Sequence, residues 1–496
     1  MERMNQVYGE KARITTDLKK NEAIFKSIFA QCEDLVYRQL SLGKNKDVKA
    51  VAVFTEPTIG NMQLHSSALG QTLAFLGNME RHEVLSRFRY NSLGLLDVAE
   101  FSTWEDAVYG FLSGDILLMV DGYDKVLKIP DKGYPGLGVI KAETEKGARG
   151  SLESFSDSVK TNAALLRKRI RTPELKIKQF KVGVRSNTLG YIAYMDGIVK
   201  PGLVENIQEA LERYRIDRVT DSGVMEQLME RSWRSPFPQI QSTKSPSLAA
   251  EELLEGRCVV MIDNSPEVLL LPTAYQNYLI AADDAYSNYQ IVSFVRILRY
   301  LAAFCAMAFP GIYVLAATYE NQLLPTGLLL SFAEAEKNTP FSALIQVFFM
   351  EVSFELLREA GLRMPGSMGN AIGIVGGLII GQAAVEAGLI SPIVVIVVAF
   401  TALCSFSIPG EEITLSFRIM KFFFLFVAGL LGLFGFFLTL LGLVAHLASL
   451  TSMGQPYLQP VSSALRKPMR KSIVRGRFAR KENQVRLRRE KENEEK

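Results

Sequence analysis

"GNAIGIVGGLIIGQAAVEAGLISPIVVIVVAFTAL" (residues 369–403) contains one ionisable side chain, Glu386. Such a run suits a bilayer interior, where each charge is costly. The same character extends on both sides. The 496-residue chain has 56 Lys and Arg and 52 Asp and Glu, yet only 16 of these lie within 291–450. This block rules out a wholly soluble globular protein. The four cysteines (Cys32, Cys258, Cys305, Cys404) are far apart and the chain has three histidines, which argues against a disulfide scaffold and against a structural zinc site.

Within the block, 291–318, 368–390 and 392–407 read as spans. Residues 341–357 carry Glu351 and Glu355, so they are read as a span, a re-entrant piece or an interfacial helix. Residues 417–447 are long for one crossing and short for two. Glycines at 429, 432, 435 and 442 permit a bend, leaving a tilted helix and a hairpin both open. Arg466, Lys467, Arg470 and Lys471 follow the last apolar run, in a tail (462–496) with 13 Lys and Arg against 5 Glu. Basic residues beside spans favour the cytoplasmic face. Arg296 and Arg299 precede the first span, and the N-terminus has no apolar export signal. Both termini are therefore expected in the cytoplasm, with an even number of crossings, four or six.

The preceding residues read as α/β. Residues 1–47 have loose helical spacing, 48–54 (VKAVAVF) is strand-like, 114–130 is a hairpin, and 147–180 is polar and loosely helical. Residues 190–199 read as a strand, 201–216 as a helix, 235–246 as an extended Pro/Ser-rich segment and 256–272 as a second hairpin. The two hairpins align without a gap at an offset of 142. Gly114, Met119, Asp121, Val126, Leu127 and Pro130 match Gly256, Met261, Asp263, Val268, Leu269 and Pro272. Residues 50–59 lie over 191–200 at nearly the same offset. The expectation is a cytoplasmic α/β region of two duplicated subdomains (1–150 and 151–288), an all-α multi-pass membrane domain (289–450) and a basic tail (451–496).

No catalytic signature is present: no GxxxxGK[ST], HExxH, GxSxG or GxGxxG at a strand-to-helix turn. No enzyme activity, cofactor or metal is expected. Asp121 and Asp263 read as turn residues, and His446 as interfacial. The strongest pattern is Gly369, Gly373, Gly377 and Gly381. Glycine at every fourth position bares one helix face for close approach by another helix, in this chain or in a second copy. Gln382 and Glu386 follow on one side of the same run, as candidates for an ion pathway or for the membrane surface. Glu351, Glu355 and Glu359 recur at i, i+4, i+8, which reads either as a solvated face or as an acidic lining that attracts cations. The basic tail is expected to meet anionic lipid. It lacks the aromatic interleaving of a nucleic-acid binder apart from Phe478.

The segments "TNAALLRKRIRTPELKIK" (161–178), "SPFPQIQST" (235–243), "MEVSFELLREAGLRMPGSMGN…" (350–403) and "SLTSMGQPYLQP" (449–460) closely resemble the A subunit of GerA-type spore germination receptors, from roughly residue 20 to 460. The resemblance implies a place in the inner membrane of the dormant spore. It implies partners in a transporter-like B subunit that binds the germinant and a lipoprotein C subunit. It also implies a role in releasing monovalent cations, with homo-oligomeric assembly as a channel. Other readings are a non-conducting scaffold subunit and a secondary transporter, the latter disfavoured because the duplication lies outside the spans.

Overall fold

The computed structural model describes residues 13–55, 70, 74–76, 79–89, 99–129, 151, 153–213, 215–320, 322, 325–337, 339–363 and 380–459. These divide into two compact units. The first comprises the α/β residues up to Glu230 together with Ile240–Pro272. The second holds Arg231–Gln239 and everything from Thr273. The division thus falls sixteen residues before the expected boundary at 288, and the 231–239 segment belongs with the helices.

The α/β unit contains two five-stranded antiparallel sheets. The first is built from α1 (Leu18–Ile28), β1 (Leu35–Leu42), β2 (Val48–Thr55), α2 (Arg81–Arg89), β3 (Ala99–Phe101), α3 (Trp104–Leu112), β4 (Ile116–Val120) and β5 (Val126–Ile129). Its strand order is β1-β2-β4-β5-β3. The second is built from α4 (Val159–Arg169), β6 (Leu175–Val182), β7 (Thr188–Met195), α5 (Leu203–Glu212), α6 (Ser222–Met229), β8 (Gln241–Thr243), α7 (Pro246–Leu254), β9 (Cys258–Ile262) and β10 (Val268–Leu271). Its order, β6-β7-β9-β10-β8, repeats the first.

The repetition reaches individual hydrogen bonds. The Asn21 amide accepts from Thr15 N (3.0 Å) and donates to Thr15 O (2.5 Å). Asn162, 141 residues on, accepts from Ser156 N (2.8 Å) and donates to Ser156 O (2.7 Å). Each buried amide thereby satisfies both backbone groups of a residue six positions earlier and pins the loop leading into a helix. Asp121 N to Lys49 O likewise repeats as Asp263 N to Leu189 O, both 2.9 Å.

The inner strand β2 is buried on both faces. Val51 and Val53 join Phe25, Trp104 and Phe111 on one face, while Ala50, Ala52 and Phe54 join Leu76 and Val84 on the other. A strand covered twice needs the near-continuous apolar run that VKAVAVFT supplies. The expectation of helix through residue 47 holds only for α1. LVYRQLSL forms β1, the edge strand on β2, with Leu35 opposite Thr55 and Leu42 opposite Val48. The stretch 147–180 similarly divides into α4 and β6. Within this unit the two halves meet beside β6. Arg167 of α4 clasps Asp34 through Nε (2.5 Å) and Nη2 (2.8 Å), and Glu33 N donates to Ile177 O (2.8 Å).

The second unit is helical: α8 (Tyr289–Thr318), α9 (Thr326–Lys337), α10 (Ala343–Arg363), α11 (Pro392–Phe406) and α12 (Glu411–Ser449), followed by a small ribbon, β11 (Thr451–Ser452) and β12 (Gln455–Pro456). Among the described residues, α8 and α12 are long and apolar enough to cross a membrane. Gly432 breaks α12 with φ 63° and ψ −144°, a left-handed backbone that suits glycine. The helix folds back at this point. Ser416 Oγ donates to Pro236 O (2.5 Å), and His446 Nε2 lies 2.8 Å from Oγ of the adjacent Ser235. A straight helix would hold residues 416 and 446 about 45 Å apart. Phe424 and Phe436 also stack with ring centroids 5.5 Å apart. Residues 411–431 and 433–449 are therefore antiparallel arms, which settles the choice between a tilted helix and a hairpin.

Contacts fix the direction of the other helices. The root of the unit is where its chain begins, near Arg231 and Thr273; the Gly432 turn is its tip. α8 starts at the root, where Arg299 Nη1 reaches Leu279 O (3.2 Å) and Asp284 (3.0 Å). It ends at the tip, where the Tyr319 hydroxyl donates to Gly429 O (3.0 Å). α10 starts at the tip, with Leu344 against Gly429. α11 starts beside it, where Ser391 N donates to Gln346 Oε1 (2.8 Å). Both run toward the root, where Phe354 meets Phe406 with centroids 6.3 Å apart.

Candidate functional site

The helical unit buries a charge cluster between α10 and α12. α10 brings Glu351 and Glu355, one turn apart, against the first arm of α12, which supplies Arg418 and Lys421. Lys421 Nζ lies 2.5 Å from Glu351 Oε2 and 3.1 Å from Glu355 Oε1. Arg418 Nε donates to Glu355 Oε2 (2.7 Å), with a second contact from Nη2. Glu351 is 1% exposed and Lys421 3%. Two carboxylates and two cations make the cluster formally neutral. The second Glu351 oxygen, Oε1, has no hydrogen-bond partner among the described residues.

The acidic line at 351, 355 and 359 is thus neither a uniform solvated face nor an unopposed acidic lining. It grades from Glu351, buried and paired, through Glu355, to Glu359, which is exposed and paired with Arg363 at 2.8 Å. Arg358, between them, lies over the Phe406 ring, 4.7 Å from its centroid. Sequence reading missed Lys421 and Arg418, whose only signal was to be the two basic residues in an otherwise apolar run.

The other candidates are distributed as follows. Gly381 is buried, and a Cβ there would come within 3.3 Å of Val395 Cγ1, as close helix packing requires. Gly369, Gly373 and Gly377 lie outside the described residues, as do Arg466, Lys467, Arg470 and Lys471. Gln382 donates to Glu386 (2.9 Å), and both are exposed on the final turn before Gly388. They do not join the Glu351 cluster. A close helix approach joins α8 to α12, where a Cβ on Gly311 would lie 3.0 Å from Phe424 O. Ala302, Ala303 and Ala306 are buried in the cluster these helices share.

A second feature is a strap, residues 231–239, that docks on the root. Phe237 is buried against the helices. The Tyr278 hydroxyl donates to Pro238 O (3.1 Å), and Ser452 Oγ to Gln239 O (2.6 Å). The Gln239 amide closes the strap on itself, accepting from Ser232 N (3.2 Å) and donating to Ser232 O (3.1 Å). His446, expected at an interface, holds Ser235.

In the α/β unit, Asp263 accepts from Val159 N (3.0 Å) and caps α4, so its carboxylate is occupied structurally. A cleft of about 470 Å³ between the two sheets is lined by Glu33, Lys160, Gln179, Lys181 and Tyr191, among others. Burial works against the Arg167 charge, but Asp34 and its hydrogen bond outweigh this and raise the guanidinium pKa. Burial pushes the Cys258 thiol up to about 12. No group of three or more metal-ligating side chains occurs among the described residues.

The sequence profile of "Bacillus/Clostridium GerA spore germination protein" matches residues 23–487. "Uncharacterized membrane protein YfkQ" of Bacillus subtilis is 35% identical over 463 residues, covering 93% of this chain and 89% of that protein. "Spore germination protein KA" of the same organism is 32% identical, covering 90% and 82%. "Spore germination protein A1" is 35% identical, covering 77% and 80%. Among solved structures, the N-terminal domain of the A subunit of the Bacillus megaterium spore germinant receptor GerK3 matches 52% of this chain and 95% of that one, at 26% identity and a TM-score of 0.39. With a profile matched over most of its length and relatives above 30% identity, the chain belongs to the GerA family of spore germination proteins.

Proposed function

We propose that the protein is a germination-receptor A subunit whose helical unit crosses the spore inner membrane six times and, as a homo-oligomer, forms part of the route by which cations leave. In this reading it works with B and C subunits, performs no enzymatic reaction and keeps both termini in the cytoplasm. The observation that carries the reading is the set of helix directions between the root and the tip. α8 runs root to tip, α10 and α11 both run tip to root, and the two arms of α12 run out and back. Because α10 ends at the root and α11 begins at the tip, these five paths and the link between those two helices make six passes if each crosses.

Two further observations support it. Large apolar side chains stand exposed around the bundle, including Leu301, Phe349, Ile396, Leu403, Leu430 and Phe434. Water would penalise such a surface, whereas lipid would not. The charges on α10, which counted against a crossing, are matched by Lys421 and Arg418, and a paired charge is far cheaper to bury than a lone one. A ligand sensed elsewhere in the receptor would open a path by binding the open arrangement more tightly than the closed one.

The test is potassium efflux from liposomes containing the purified protein with its companion subunits, together with the oligomeric state in detergent. Germinant-dependent efflux from an oligomer is the expected result. An oligomer that assembles with its partners but never conducts would instead establish the scaffold reading.

A further inference from the structure

We propose that Trp233, with Arg231 and Arg234, forms a headgroup-binding anchor that seats the strap on the anionic phospholipids of one leaflet. This rests on the membrane reading above and adds a lipid site to it. Trp233 is 75% exposed. The Arg234 guanidinium stacks on its ring, 5.0 Å from the centroid. Arg231 and Arg234 are both exposed, and neither forms an ion pair among the described residues.

The depth of this group follows from its neighbours. Ser235 is held by His446 and Pro236 by Ser416. One and two residues from those anchors, Leu415 (55%) and Val444 (50%) begin the exposed apolar surface of the two arms. The strap therefore lies where the apolar belt ends. Trp233 is two residues from Ser235, a reach of at most about 7 Å. The headgroup layer beyond the hydrocarbon is roughly 5–8 Å deep on each side. Tryptophan favours that layer because its ring is apolar and its indole N–H is polar. Two unpaired arginines beside it match anionic phosphate oxygens, at roughly a fivefold preference apiece.

The experiment uses the intact chain in liposomes and reads tryptophan fluorescence. The chain has two tryptophans, and Trp104 is buried in the α/β core, which gives an internal baseline. Lipids brominated near the headgroup end of the acyl chain should quench the wild type more than lipids brominated near the chain terminus. Trp233→Phe should remove that difference. Brominated phosphatidylglycerol should quench more than brominated phosphatidylcholine at equal bromine content, and Arg231→Gln/Arg234→Gln should equalise the two. Flotation of the proteoliposomes after a carbonate wash tests membrane embedding separately. If the protein floats but wild type and Trp233→Phe quench alike, Trp233 faces water or another protein and the anchor is wrong. Equal quenching of the wild type by the two lipid classes would also overturn it, because the arginines would then select nothing.

Discussion

Lys421 holds two carboxylates at once, so its removal tests the charged cluster most directly. Lys421→Met would leave Glu351 buried without a counter-charge, and breaking a buried pair in this way costs about 3–5 kcal/mol. We expect a sharp fall in the thermal midpoint of the detergent-purified protein. Glu351→Gln in the same chain should restore part of it, because the pair then leaves together. If the single variant melts like the wild type, the cluster is solvated in practice. Neither partner of this pair identified the other in the sequence, since 70 residues separate them. Glu351 was visible as an anomaly, but whether it stood in lipid, in water or in a pore depended on a lysine that no local pattern linked to it. Cys258 poses the opposite case, a residue whose reactivity burial suppresses. With its thiol pushed up to about 12, it holds little thiolate at pH 8. Alkylation at pH 8 followed by peptide mapping should leave Cys258 unmodified in the native protein and modify it on unfolding. Rapid native labelling would show that the β9 core opens readily.

Two elements behave as units that a single side chain holds in place. The loops before α1 and α4 are each pinned by one asparagine amide. Asn162→Ala would strand the Ser156 N–H and C=O and lose about 1–3 kcal/mol. Asn21→Ala should cost a similar amount, since it breaks the same pair of bonds. Unequal losses in denaturant titrations of the two variants would mean that the repeated geometry no longer has a repeated role. This repetition was legible because the hairpins kept their apolar and turn residues in register. β1 was not, because charged residues and loose apolar spacing in its neighbourhood suit a helix as well as an edge strand, and only pairing with β2 decides between them. The hairpin in α12 was half legible. Several glycines marked a bend, but the turn at Gly432 is distinguished by the Tyr319 ring, which would lie 3.2 Å from a Cβ there. Spin labels at 415 and 444 should give a distance well below the roughly 43 Å of a straight helix. A distribution centred near that value would mean that the arms are not folded on each other.

The path of the whole chain through the helical unit makes a prediction about sides. If the root and the tip face opposite compartments, every segment between helices is assigned to one of them. The strap, the 407–410 turn and the 450–459 ribbon belong to the root, since Gly410 packs on Tyr278 and Ser452 binds both Thr273 and Gln239. The Gly432 turn, the start of α10 and the 387–391 turn belong to the tip. With both termini expected on one side, the sequence left four or six crossings open. α10 looked too charged to cross and α12 had an uninformative length; the ion pairs on α10 and the turn at Gly432 are what the proposed six-pass path rests on. We therefore expect cysteines introduced at Ser407 and at Thr451 to react with a membrane-impermeant maleimide from the same side of sealed vesicles. A cysteine introduced at Leu433 or Leu389 should react only from the other side. Fluorescent labelling of inside-out and right-side-out preparations distinguishes the two faces. Labelling of 389 and 407 from one common side would mean that α11 does not cross, and the six-pass path would then be wrong.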